Sequence, residues 1–298
     1  QEQMVADAAP GSVERYREIE TALTYARAVF QHNLGNIEEA ATLLKRAQAN
    51  IHQYGYLYLA ANTERYLGYI SNAAQCWEQA QQHLVQSIHY AKQQHQSYSW
   101  ISSLHFLASL AIQRGESEQG ITYLQQAYEL LQCFPDVNLE STYHAYYADL
   151  YHAQGQWSAA LASAQKTLAL MTEQRMPVYI LHTAGKILWQ SGRYSLAKEY
   201  LERVDSTTHN DLHYYPGKYW HTVWLIDFSN LYIAWQQPQQ ALFYSQQAKR
   251  YAQKQGQKVL LGRAQKAEGA AQMQLEQWGA ALTNLNEARA VFHQESAA

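Results

Sequence analysis

The feature that most constrains this chain is a pattern that returns seven times. A small residue stands at Ala40, Ala80, Gly120, Ala160, Ala197, Ala241 and Ala281, at intervals of 40, 40, 40, 37, 44 and 40. Twelve positions before each stands a second small residue: Ala28, Gly68, Ala108, Ala148, Gly185, Ser229 and Gly269. Small side chains at both places let two helices approach closely across a short turn. Apolar residues four and seven positions after the central one continue a helical face, as Leu44 and Ala47 do in the first repeat. A Gly five positions before the centre (Gly35, Gly115, Gly155, Gly192) closes the first helix of each pair in the left-handed conformation. Where Gln75, Gln236 or Glu276 holds that place, the turn is made differently or under strain. A fixed period of this length means a stacked array whose units bury their apolar faces on their neighbours.

Composition agrees with helix pairs and little else. Gly and Pro together supply 14 and 5 residues of 298, few turn punctuators for a chain this long. The hydrophobic set is 47%, enough for a large core and too much for a disordered chain. Two cysteines, Cys76 and Cys133, exclude a disulfide scaffold. A net charge of -3 argues against a phosphate-coating nucleic-acid binder, so no direct nucleic-acid partner is expected. No apolar stretch is long enough to span a membrane, and none is expected as a partner. The start, QEQMVADAAPG, lacks signal-peptide character and an initiator Met. The expectation is one cytoplasmic domain over residues 1–298, excised from a longer multidomain protein.

These residues resemble the tetratricopeptide repeat (TPR). That family places small residues at its eighth and twentieth positions, Gly before an aromatic at the turn, and Ala one helical turn further on. The resemblance covers roughly residues 20–293. It implies an all-α solenoid of about seven helix pairs in a right-handed superhelix. The departure is the period of about 40 instead of the usual 34, absorbed by longer helices or longer joints. The largest irregularity is the joint from Asp205 to Trp220. The last helix keeps an apolar face at Leu282, Leu285, Ala288, Val291 and Phe292, expected to meet either more of the chain or a partner.

The resemblance also implies a concave groove lined by the first helix of each pair. Carried over by register, repeat one contributes Tyr25, His32 and Asn33, and repeat two Asn62, Arg65, Tyr69 and Asn72. Repeat three adds His105, Ser109 and Gln113, and repeat four Asp149 and His152. Repeat five adds Tyr179, His182, Lys186, Trp189 and Gln190. Asn230 follows in repeat six, then Arg263, Lys266 and Gln274 in repeat seven. Aromatic rings stack on sugar faces, bases or peptide side chains, and the amides and imidazoles bond hydroxyls or peptide groups. Such a lining suits a neutral, polar ligand. Tyr98 and Trp100, Tyr143 with Tyr146 and Tyr147, and Tyr219, Trp220 and Trp224 are expected near one mouth of the groove. Trp77, Trp157 and Trp278 are expected to cover turns.

Catalytic chemistry finds little support. His209, Asp211, His213 and His221 lack the spacing of a zinc site, and neither metal nor cofactor is expected. Asp149 and His152 share a helix face and could act as an acid–base pair, but a plain polar pair fits as well. No phosphate-binding loop, dinucleotide fingerprint or nucleophile elbow occurs. Long-helix repeats of this style resemble the inducer-sensing domains of bacterial STAND signal-transduction ATPases of the maltotriose-activator kind. That resemblance implies a non-catalytic sensor of a transcriptional regulator, binding a small inducer or peptide and touching other domains of its parent. The alternative is a protein- or peptide-binding scaffold. A closed aromatic chamber would favour the inducer, an open trough the peptide.

Overall fold

The structure is a computed structural model describing residues 12–33, 36–73, 76–170, 178–210 and 217–296; the side chains of 33, 73, 178–180, 204–210, 217–220 and 293–296 stand outside that description. Fourteen helices and no strand occur among the described residues. They fall into two compact units, Gln1–Phe134 and Pro135–Ala298. The first holds α1 (Ser12–Asn33), α2 (Ile37–Tyr54), α3 (Leu57–Ala73), α4 (Trp77–Gln93), α5 (Ser97–Gln113) and α6 (Ser117–Cys133). The second holds α7 (Val137–Ala153), α8 (Trp157–Leu170), α9 (Val178–Gln190), α10 (Tyr194–Asn210), α11 (Gly217–Ala234), α12 (Pro238–Lys254), α13 (Lys258–Gln274) and α14 (Trp278–Ser296).

The long period resides in the helices. Helices α3 to α7 each have 17 residues, as do α12 and α13, and they are joined by three-residue turns. Two helices and two turns of that size fill one 40-residue repeat. The turns at 114–116, 154–156, 191–193, 235–237 and 275–277 are closed in the same way. In the α5–α6 turn, the Gly115 N–H donates to the Ile112 carbonyl at 3.1 Å and the Glu116 N–H to the Ala111 carbonyl at 2.8 Å. This paired closure satisfies carbonyls at the helix end and needs a left-handed residue. Gly115, Gly155 and Gly192 supply it, with φ of 79°, 72° and 80°. Gln236 and Glu276 make the identical turn at φ 57° and 59°, so the sequence's departure from Gly is met with strain. Gln75 lies outside the described residues.

The small residues do what their spacing demands. Ala28, Ala40, Ala80, Ala108, Ala148, Ala160, Ala197 and Ala241 are wholly buried. A Cβ on Gly68 would stand 2.9 Å from Leu84 Cγ, and one on Gly185 2.9 Å from Leu201 Cγ, so the partner helix rests on each glycine. Ser229, in the same register, donates to the Ala241 carbonyl at 2.9 Å. Overpacking such a contact typically costs about 1–3 kcal/mol. In the first unit Ala28, Ala40, Leu44, Leu67 and Ile70 form one core cluster. In the second, Leu188, Leu201, Phe228, Leu231 and Tyr232 anchor another.

Within each unit the first helices of successive pairs touch: α1 with α3 and α3 with α5, then α7 with α9, α9 with α11 and α11 with α13. No pair of second helices packs to a comparable extent among the described residues. Each unit therefore draws its first helices together on one side and spreads its second helices on the other. This is the side on which the register places the candidate ligand residues.

Three expectations are corrected. Most of the α14 face is already used: Leu285 rests on Gly269, and Val291 and Phe292 rest on Gly262 of α13. Only Leu282 and Trp278 remain open, each 62% exposed, so Trp278 does not cover its turn. Trp224 is half-buried against the core: its indole N–H donates to the Leu201 carbonyl at 2.7 Å, and its ring lies 4.9 Å from Phe228.

Candidate ligand face

In the first unit the site grows from α3. Asn62, Arg65, Tyr69 and Asn72 recur at helical spacing on one stripe of this helix. Arg65 is only 8% exposed. One terminal nitrogen donates to the Tyr69 hydroxyl at 2.7 Å and the other to Asn62 Oδ1 at 2.8 Å. Its guanidinium carbon lies 5.0 Å from the Tyr66 ring centre, 5.3 Å from Tyr69 and 5.9 Å from Tyr98. Burial works against the charged form, but Tyr69, Tyr66 and Tyr25 more than offset it, so the group holds its proton more tightly than a free arginine. No carboxylate of the described residues pairs with it.

Helix α5 completes this arrangement. Ser99 donates to Asn62 Oδ1 at 3.2 Å, Ser102 lies 3.3 Å from the Tyr69 hydroxyl, and the Phe106 ring sits 4.2 Å from that of Tyr69. Helix α1 adds Tyr25 and His32, both edge-on to Tyr66 at 6.0 and 5.6 Å. Burial raises the Tyr25 hydroxyl well above the usual phenol range. Five expected residues therefore converge: Tyr25, His32, Asn62, Arg65 and Tyr69. Asn72 continues the α3 stripe with its Oδ1 buried and without a partner. Gln113 is exposed at the end of α5 and bonds only Ser109, at 3.2 Å.

His105 departs from the expectation. It occupies the register of Arg65 one repeat later, yet it is 1% exposed and cannot line an open groove. Burial pushes its imidazole down to about 3, so it is neutral at physiological pH. Register assigned it to the right helix face, but neighbouring side chains close over it. Trp100 also turns elsewhere, with Lys92 4.8 Å from its ring centre.

In the second unit, α7, α9 and α11 assemble a polar ladder. His152 of α7 hydrogen-bonds Gln190 of α9. His182 of α9 pairs with Asp227 of α11. Asp149 lies within the electrostatic reach of Lys186, His182 and His152. Burial raises the Asp149 carboxyl, and those three groups pull it partly back. Burial and then Lys186 lower His152, while Gln190 and Asp149 act in the opposite sense. Asp149, His152, His182, Lys186 and Gln190 are thus brought together as their register implied. Asp227 was not expected. Its signal is a lone acid inside the apolar run VWLIDFS, one position outside the groove register.

Other candidates stand apart. Trp189 packs against the Leu188–Phe228 core, with its indole N–H buried and without an acceptor. Asn230 and Arg263 are half-buried, Lys266 is exposed, and Gln274 donates to the Ile233 carbonyl at 3.0 Å. Tyr143, Tyr147 and Tyr151 run up α7 as a ring ladder at 4.9 and 5.6 Å. The side chains of Asn33, Tyr179, His209, Asp211, His213, Tyr219 and Trp220 lie outside the described residues. Among the described residues no group of three His, Cys, Asp or Glu side chains could hold a metal, and no helix is long and apolar enough to cross a membrane.

A tetratricopeptide repeat family model matches residues 178–207, the α9–α10 pair. Comparison with curated proteins gives no sequence match. Solved structures share the fold at low identity. A Rap protein complexed with competence and sporulation factor is 11% identical at a TM-score of 0.70, covering 99% of this chain and 79% of that one. The Rap conjugation gene regulator of plasmid pLS20, in complex with the Phr* peptide, is 11% identical at 0.75, covering 93% and 75%. A STAND protein with a tetratricopeptide repeat sensor from Pyrococcus horikoshii is 14% identical at 0.58; the match covers 91% of this chain and 42% of that one. The chain is a TPR-like all-α solenoid, and its structural neighbours include both Rap proteins and the sensor of a STAND ATPase.

Proposed function

We propose that this chain is a non-catalytic recognition module that takes a peptide along the first-helix face of its repeats. The observation that carries this reading is the convergence of rings, amides and one buried cation from α1, α3 and α5, repeated in polar form on α7, α9 and α11. Neutral donors and acceptors spaced along a helix stack suit the backbone and side chains of an extended chain. Of the structural neighbours, one Rap protein is solved in complex with the Phr* peptide and another with competence and sporulation factor. Within a longer polypeptide the module would act as a cytoplasmic sensor. Ligand binding would shift an equilibrium between two arrangements of the parent's domains by its differential affinity for them. Its likeness to the STAND sensor supports that role, and a small-molecule inducer is the second reading it leaves.

A thermal-shift screen separates the two ligands. The folded chain is heated with pooled random hexapeptides and, in parallel, with oligosaccharides and nucleotides. A ligand at about 100 times its Kd adds roughly 2.7 kcal/mol, a readable rise in Tm. The expected result is a peptide hit that Tyr69→Ala abolishes. Stabilisation by oligosaccharides or nucleotides alone would replace the peptide with an inducer.

A further inference from the structure

We propose that the outer face of α1 pairs two copies of this chain, with the two α1 helices antiparallel. That face is a row of apolar side chains at Tyr16, Ile19, Leu23, Ala26 and Phe30, spaced by three and four residues in turn. All five are exposed, and the four large ones widely so: Tyr16 60%, Ile19 51%, Leu23 64% and Phe30 56%. A single exposed apolar residue is ordinary, but an aligned row over two heptads marks a contact surface. In later repeats the same register is covered. Ile70, Ile187, Leu231 and Ala271 hold the place of Phe30, and each lies in a core cluster with alanines of the pair before it. Thr63 and Ser103, in the place of Leu23, are wholly buried. The outermost helix of an array ordinarily turns a polar face to water. Helix α1 does the opposite, with larger apolar residues than the covered register carries.

Length, shape and charge fit this row to a second α1. The helix has 22 residues, whereas α3 and α5 have 17 and begin, in the same register, one position after Tyr16. A preceding pair of ordinary repeat helices would leave the Tyr16 end uncovered; another α1 matches the whole row. Antiparallel pairing about a point between positions 24 and 25 sets Ile19 against Phe30 of the other copy and Leu23 against Ala26, large beside small at the centre. Glu20 and Arg27 stand seven residues apart along one edge of the row. The same pairing sets each Glu20 beside Arg27 of the other copy, twice per dimer. Within the chain Glu20 already meets Arg46 at 2.6 Å and Arg27 meets Glu39 at 2.8 Å, so pairing joins them into rows of alternating charge. On the other edge Ala22 and Val29 are half-buried and uncharged. Parallel pairing would instead set Arg27 against Ala22 and Phe30 against itself. A twofold contact needs one patch that complements itself, and this row does so in the antiparallel sense alone. Tyr25 and His32 stay with Tyr66 on the ligand face, which the pairing does not use.

Sedimentation velocity of the 298-residue chain tests the pairing. Between about 1 and 100 μM the wild type should pass from one chain's mass to twice that mass. Leu23→Glu, at an exposed site, should keep the helical circular dichroism and lose the dimer; Ala26→Arg serves if Leu23→Glu does not fold. Glu20→Arg and Arg27→Glu each set like charges opposite one another and should weaken dimerisation about 10-fold. An equimolar mixture of those two variants should regain the wild-type affinity, because every pair across the contact is then opposite in sign. A wild type that stays monomeric over the whole range overturns the proposal and gives the row to a segment of a longer parent. A dimer that survives both Leu23→Glu and Ala26→Arg overturns it too, by placing the contact elsewhere. A mixture that binds no more tightly than either variant alone rejects the antiparallel pairing.

Discussion

One register position carries two opposite solutions to burying a basic group. Arg65 and His105 stand 40 residues apart at equivalent places on α3 and α5. Arg65 stays charged inside rings and neutral acceptors, whereas His105 gives up its charge. The second solution has a pH consequence. The unfolded chain protonates His105 near the ordinary value of about 6.5, and the folded chain resists this down to about 3. His105 therefore contributes fully to stability above about pH 6.5, and that contribution is lost as pH falls toward 3. The slope approaches about 1.4 kcal/mol per pH unit within this window. Urea midpoints at pH 7, 6, 5 and 4 should fall less steeply for His105→Leu than for the wild type; parallel curves would show that the site does not exclude the proton. Neither burial was legible in the sequence. A repeat register states which face a side chain joins, and only the neighbours' packing states how deep it lies. Tyr66, whose ring lies 5.0 Å from the Arg65 guanidinium carbon, and Phe106, whose ring packs on that of Tyr69, recur 40 residues apart.

At the scale of the element, the sequence was nearly sufficient. The small residues at 28 and 40, 68 and 80, and their successors located the helix–helix contacts, because no larger side chain fits where a Cβ would stand 2.8–2.9 Å from a leucine Cγ. Helix length resolved the one open choice, with 17-residue helices absorbing the additional period. For the turns that lack glycine the sequence left two choices, a different turn or strain, and the backbone takes strain. Gln236 and Glu276 keep the left-handed closure that Gly192 makes freely. Left-handed backbone disfavours a side chain by roughly 1–2 kcal/mol, less what glycine loses to unfolded-state entropy. Gln236→Gly and Glu276→Gly should each raise stability by up to about 1 kcal/mol, and Gly192→Ala should lower it by about 1 kcal/mol. Denaturant titrations check all three, and a loss in either glycine variant would mean those turns are not strained. Asp227 escaped the sequence reading for a different reason. It lies beside the groove register in an otherwise apolar run, and its meaning depends on His182 of a neighbouring helix.

Each unit is an array whose stability is built from neighbour contacts. The rings and polar groups of the candidate ligand face stand on first helices, and second helices supply the apolar anchors Leu44, Leu84, Leu124 and Leu201 that seat each pair. The period told this division in outline, since one helix of each pair had to face its neighbours in the stack. It did not tell which first-helix residues would meet, because that depends on the offset between successive pairs. The most direct test of the account is where a ligand lands. A hexapeptide retained from the pools, rebuilt with a single benzoylphenylalanine, is photo-cross-linked to the folded chain and the adducts are mapped by mass spectrometry. The account predicts adducts on first helices, on α1, α3 and α5 around His32, Tyr69 and Tyr98, or on α7, α9 and α11 around His152 and His182. Adducts confined to the second helices α2, α4 and α6, or to the open Trp278–Leu282 edge of α14, would contradict it.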